Sequence, residues 1–207
     1  GDTDADILNR ITFQDPAAPA ASGIARIETN VVNGPDIKTS GVDLRIEKTW
    51  DQTNGGSFMI GAESTYVIEY DVDPYFIEGV PIGGGDYVGQ FNRSNFTRSM
   101  PQWKANIFAN YAIGMHNFRA VMRHVDSYDD ERGDLTGDGN SEIDSMTTMD
   151  LYYSADLPWE LDLGLSVVNV FDEEPPFAQF DINYDPYTHN PYGRTFKVSL
   201  KKTFSGL

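Results

Sequence analysis

Apolar and polar residues alternate with a period of two through most of this sequence, often over ten residues or more, and that pattern constrains the fold more than any other feature. In "RTFKVSLKKTF", Phe196, Val198, Leu200 and Phe204 fall on one face and Thr195, Lys197, Ser199, Lys201 and Thr203 on the other. Successive side chains of a strand point to opposite sides, so such a segment has one apolar and one wet face. The same phase sets Leu161, Leu163, Leu165 and Val167 against Asp162, Gly164 and Ser166, and Leu151, Tyr153 and Ala155 against Asp150, Tyr152 and Ser154. Residues 102–113 repeat it, with Phe108 the one large apolar exception on the polar face, and so do 57–72 and 41–50. Segment 117–128 alternates less cleanly, and 7–13 and 24–33 more weakly still. The pattern predicts about nine strands, no helix and no internal repeat of fixed period.

Strands in soluble β-sandwiches usually have about 5–6 residues, whereas several of these runs reach roughly 10–15, the length that crosses a bilayer at a tilt. The connections agree. The turns at 51–56, 114–115 and 158–159 are short and the segments 73–95, 129–143 and 173–190 are long, as expected of a barrel with tight turns on one side and loops on the other. The short turn at 33–35 is the exception. With the C-terminus on the periplasmic side, Trp50, Tyr111, Trp159 and Phe204 gather at one boundary as an aromatic girdle. A mean hydropathy of −0.42 is compatible with this, because a barrel strand alternates lipid-facing and lumen-facing residues. No run approaches the roughly 18 apolar residues of a membrane helix.

Charge and cysteine usage exclude other classes. Lys+Arg 15 against Asp+Glu 32 leaves a formal charge of −17, which opposes nucleic-acid binding because phosphate contacts depend on cationic side chains. Without cysteine there is no disulfide framework and no thiolate zinc site.

Three segments carry a family resemblance. "VVNVFDEEPPF" (167–177) resembles the N-[LV]-F-D-x-x-P-P segment that ends the penultimate barrel strand of TonB-dependent outer-membrane receptors. "YDPYTHNPYGRTFKVSLKKTF" (184–204) is similar to the Y-D-x-x-G-R lead into their last strand, and "IKTSGVDLRIEKTW" (37–50) resembles an upstream barrel strand. The resemblance implies an all-β, antiparallel transmembrane β-barrel of roughly 22 strands in the bacterial outer membrane, of which residues 1–207 form a C-terminal portion without the plug domain. It also implies a plug, a TonB complex reached through an N-terminal region, the barrel assembly machinery, a surface lipoprotein and the lipid bilayer as partners. Its transport is driven by the proton-motive force and carries siderophores, cobalamin, glycans or peptides, without a required cofactor. The resemblance further implies a terminal aromatic read by the assembly machinery. Here Ser205, Gly206 and Leu207 follow Phe204.

Few constellations point to chemistry. In "GDLTGDGNSEIDS", Asp134, Thr136, Asp138 and Asn140 echo the alternate oxygen ligands of a calcium loop, with Glu142 and Asp144 further on, so Ca2+ bound in loop 129–143 is one expectation and a solvated acidic loop the other. His116, His124 and His189 do not have zinc-helix spacing. No serine sits in a nucleophile elbow, and the acid pairs Asp129-Asp130 and Glu173-Glu174 read as solvated loop acids, so the chain is expected to move a ligand rather than transform it. Tyr75, Phe76, Tyr87, Phe91, Phe177, Phe180, Tyr184 and Tyr187 lie on the long loops, where their rings either stack on a ligand or pack loop on loop. Two rival readings are a calcium-dependent, β-rich secreted binding or adhesion domain and a small structural outer-membrane barrel.

Overall fold

The computed structural model describes residues 11–18, 23–28, 34–53, 55–77, 80–91, 98–133, 137 and 141–204. Seven long strands account for most of them: β1 (Ile37–Asp51), β2 (Ser57–Val72), β3 (Trp103–Ile113), β4 (His116–Val125), β5 (Met146–Leu157), β6 (Leu161–Val168) and β7 (Thr195–Lys202). Each hydrogen-bonds to its neighbour in sequence, giving one meandering sheet in the order β7-β6-β5-β4-β3-β2-β1. From β2 through to β7 every pairing is antiparallel. There is no helix among the described residues. The protein is therefore all-β, as its alternation dictates, and the sheet is open, ending on β1 and β7.

The chain divides into two compact units, residues 1–38 with 70–86, and residues 39–69 with 87–207. In the first, Ile11–Phe13 pairs with Ile24–Ile27, Tyr75–Ile77 pairs with Val80–Ile82, and Asp71 and Val72 pair with Asp86 and Gly85. The second holds most of the long sheet and a small sheet ordered Glu142–Ile143, Tyr128–Asp130, Gln90–Phe91, Ser99–Met100, whose central pairing is the one parallel contact described.

Register aligns like with like across the long sheet. Tyr111, Phe118, Tyr153, Leu165 and Val198 form one continuous cross-strand row, and Asn110, Arg119, Tyr152, Ser166 and Lys197 form the next. A slip of one residue would invert every strand, so the apolar row holds the register. On that apolar face Leu44, Ile46, Ile60, Ile107, Phe118, Leu165 and Val198 are all exposed, far more apolar surface than a soluble monomer presents.

The polar face is cross-linked by side chains. Arg45 donates to Glu63 at 2.7 Å and to Glu47 at 2.9 Å, Thr65 donates to Asp43 at 2.6 Å, and Asn110 donates to Asn117 at 2.8 Å. The apolar exception Phe108 is buried there. Its cross-strand partner is Gly61, where a Cβ would collide with the ring, and the Arg119 guanidinium lies over it at 5.1 Å. A glycine thus makes room for an aromatic, which is then covered by a cation.

The short connections lie where the pattern put them, with β3 turning into β4 through Gly114 and Met115 and β5 into β6 through residues 158–160. Tyr111, Trp159 and Phe204 occur at this end of the sheet, as does Trp50, which stacks on Phe58 at 5.8 Å.

Candidate functional site

At the opposite end of the sheet, the organisation of the last connection begins with two residues that leave β6. Asn169 and Asp172 hold φ of 54° and 63°, the left-handed region that Asn and Asp tolerate better than other non-glycine residues. Asn169 is buried. Its Nδ2 donates to the Glu173 carbonyl at 2.8 Å, its Oδ1 accepts from the Glu173 amide at 3.0 Å, and its own amide donates to Asp150 Oδ1 at 2.9 Å. Asp172 reaches across to the start of β7, where its Oδ1 accepts from the Arg194 amide at 2.5 Å and its Oδ2 pairs with the guanidinium at 3.6 Å. Arg194 Nη1 also donates to the Val170 carbonyl at 3.1 Å, and a Cβ on Gly193 would collide with Asp172 Oδ1. The segments at 167–177 and 184–204 therefore meet as one clasp across the excursion from 169 to 194.

Beneath it, Asp150 on β5 has a side chain only 4% exposed and both carboxylate oxygens engaged. Oδ2 takes bonds from Arg123 Nε at 3.2 Å, Arg123 Nη2 at 2.9 Å and the Tyr152 hydroxyl at 3.0 Å. A buried carboxylate needs such compensation, and here it fixes the orientation of the arginine.

Above it, the loops have a core of their own, formed by Phe91, Tyr128, Ile143 and Ala178 with Val125 and Phe180 packed against it. Asp185 is fully buried beside this core, accepting from the Tyr128 hydroxyl and from the Tyr187 amide, each at 2.8 Å. Burial first, then the Asp185 carboxylate, pushes the Tyr128 phenol well above its ordinary range, so it stays a donor. His189 stacks on Tyr128 with ring centroids 6.0 Å apart, and its amide donates to the Asp185 carbonyl at 3.0 Å. Burial holds its imidazole below the ordinary value, with Lys104 acting in the same sense and Asp185 opposing. Asp130 is a second loop anchor, accepting from the amides of Gln179 at 2.9 Å and Arg132 at 3.1 Å.

A cavity of about 200 Å3 opens between the strand ends and the last loop, lined by Arg123, Asp150, Asn169 and His189 among polar residues and by Val125, Met146 and Val168 among apolar ones. Its polarity comes from Arg123, Asp150, Asn169 and His189, each at least 19 positions from the next in sequence, which no local pattern reveals.

Of the loop aromatics singled out from sequence, Phe91 is completely buried, edge-on to Phe180 at 5.7 Å and to Tyr187 at 6.2 Å. It serves loop-on-loop packing and has no free face for a ligand. Tyr187 is exposed, with the Arg98 guanidinium 4.9 Å above its ring and donating to its hydroxyl at 3.1 Å. Phe177 is exposed, and Tyr87 and Tyr184 are half-buried. Tyr75 and Phe76 are exposed in the other unit. For the calcium loop, Asp134, Thr136, Asp138 and Asn140 lie outside the described residues, while Glu142 and Asp144 are exposed. Tyr128, Asp150, Asp185 and Arg123 were missed by the sequence reading, and only the burial of acidic residues in the fold marks them out.

A family model described as TonB dependent receptor-like, beta-barrel matches residues 4–170. It covers β1 to β6 and stops at Val170, inside the clasp. No curated protein and no solved structure matches the chain.

Proposed function

The chain belongs to the TonB-dependent receptor β-barrel family, and from that premise we propose that it forms a C-terminal stretch of the wall of an outer-membrane transport receptor. In this reading β1 to β7 cross the bilayer with Leu44, Ile107, Leu165 and Val198 toward lipid and the Arg45, Arg119 and Lys197 face toward the lumen. Further strands, making roughly 22 in all, pair with the open edges of β1 and β7. The clasp, the loop core and the long loops stand outside, where they help to close over a substrate, and a plug contacted by TonB couples its release to the proton-motive force. The protein moves its ligand without transforming it.

The observation that carries this reading is the long antiparallel meander whose apolar face is exposed along its whole width. Such a surface is stable in lipid and a liability in water. The family match supports the receptor over a secreted adhesion domain.

These 207 residues contain no cysteine, so a thiol introduced among them adds a label site that the same receptor without the substitution controls for. Leu165→Cys and Ser166→Cys are adjacent positions on opposite faces of β6. In intact cells carrying the receptor, a water-soluble maleimide is expected to label Cys at 166 and to spare 165 until detergent is added. Equal labelling of both positions before detergent would overturn the membrane assignment.

A further inference from the structure

We propose that the short-turn end of β6 and β7 holds a phospholipid of the periplasmic leaflet, with its phosphodiester on Lys202 between Trp159 and Phe204. The assignment rests on the reading of β1 to β7 as membrane-spanning. Within residues 39–69 and 87–207, every carboxylate on these strands belongs to the polar face. The charged side chains on the apolar face there are Lys48 and Lys202, both near the short turns. The chain has Asp+Glu 32 against Lys+Arg 15, so a face whose charges are lysines alone, at one boundary, is matched to a layer of anions.

Lys202 turns that boundary into a site. It pairs in register with Leu161, follows Leu200 on the apolar face, and has no carboxylate partner among the described residues. Its Nζ lies 5.7 Å from the centre of the Phe204 ring. Trp159, Glu160 and Thr203 complete an open cleft of about 300 Å3, and the Thr203 amide donates to the Glu160 carbonyl at 3.0 Å, which joins its two walls. Trp159 and Phe204 are 83% and 82% exposed. The turn that displays Trp159 is strained. Trp159 and Glu160 hold φ of 66° and 55°, the left-handed geometry for which a tight hairpin selects Asn and Gly. Strain kept in so short a turn points to a use for the side chain it displays.

The cleft selects its occupant. A free anion satisfies Lys202 but leaves two exposed rings beside it uncovered. An uncharged lipid covers the rings but leaves the ammonium unpaired. A phospholipid brings its phosphate to the lysine at the depth where aromatic side chains sit, and its acyl chains continue over Leu200, Leu161 and Leu163. Glu160 on the same rim favours a headgroup in which an ammonium follows the phosphate.

The test is native mass spectrometry of the detergent-solubilised receptor containing this chain, titrated with dioleoylphosphatidylethanolamine. Dioleoylglycerol is the phosphate-free control and inorganic phosphate the competitor. Lys202→Gln is expected to weaken the binding of one lipid copy by roughly fivefold, the worth of one lysine at a phosphate surface. Lys197→Gln, on the polar face of the same strand, should change nothing. Trp159→Asn relaxes the turn, so it should raise the thermal midpoint in lipid-free detergent and yet lower lipid binding, an opposition that a purely structural tryptophan does not produce. Lipid binding unchanged in Lys202→Gln or in Trp159→Asn, an equal loss in Lys197→Gln, equal binding of dioleoylglycerol, or displacement by equimolar phosphate would each overturn the site. The membrane reading fails separately, through equal labelling of Leu165→Cys and Ser166→Cys.

Discussion

Asn169 shows how much one side chain does at the rim. Its φ of 54° costs an ordinary L-residue about 1–2 kcal/mol, and its two bonds to Glu173 contribute about 1 kcal/mol each. Asn169→Ala loses both contributions and is expected to destabilise the protein by about 3 kcal/mol, whereas Asn169→Gly, free of the backbone cost, should lose about 2 kcal/mol, both read from thermal unfolding. Equal losses would mean that the left-handed geometry is not what selects asparagine. His189 makes a pH prediction. Its folded pKa lies below the ordinary 6.5, so in the interval between the two the unfolded chain binds more protons. The stabilisation is complete above 6.5 and is lost as pH falls toward the folded value. Amide exchange in residues 173–194 should therefore quicken between about pH 7.5 and pH 5 beyond its intrinsic pH dependence, and His189→Gln should abolish the excess. Asn169 and Asp172 were legible in the sequence as motif letters. His189 was read only as a scattered histidine, because its stacking on Tyr128 is a contact across the loops.

At the scale of elements, alternation was enough to place the long strands and their faces to within a few residues. Phe108 broke the pattern in sequence, and the reason is its cross-strand partner Gly61, which lies 47 positions away and could be identified only from register. A larger residue at Gly61 must displace the ring from beneath Arg119, so Gly61→Val is expected to destabilise by about 1–3 kcal/mol, the range for overpacking. Phe108→Ala should then relieve Gly61→Val, so the double variant loses less than the sum of the single ones. Additive losses would show that the two positions are uncoupled. The clasp belongs to this scale too. Asp172, Gly193 and Arg194 fasten the end of β6 to the start of β7, so the pairing of these strands does not rely on the conformation of the loop between them. The motif spacing marked these residues in sequence but did not show that they touch.

For the whole molecule, the open edges of β1 and β7 are decisive. Two long edges with unpaired backbone groups invite further pairing. Expressed alone and refolded in detergent, residues 1–207 should form mixed oligomers without the heat-dependent gel shift of a closed barrel. A sharp heat-modifiable monomer would instead mean that the chain closes on itself as a small complete barrel. The sequence by itself determined that the chain is all-β, where its long strands run, which face of each is apolar, and which family it resembles. Each of these is written in local periodicity or in short motifs. Only the tertiary structure decided that the two terminal motifs form one clasp, that Phe91 is core rather than surface, and that Arg123, Asp150 and His189 border one cavity. Those contacts join residues tens of positions apart, and their partners are set by register and loop packing, which local periodicity does not encode.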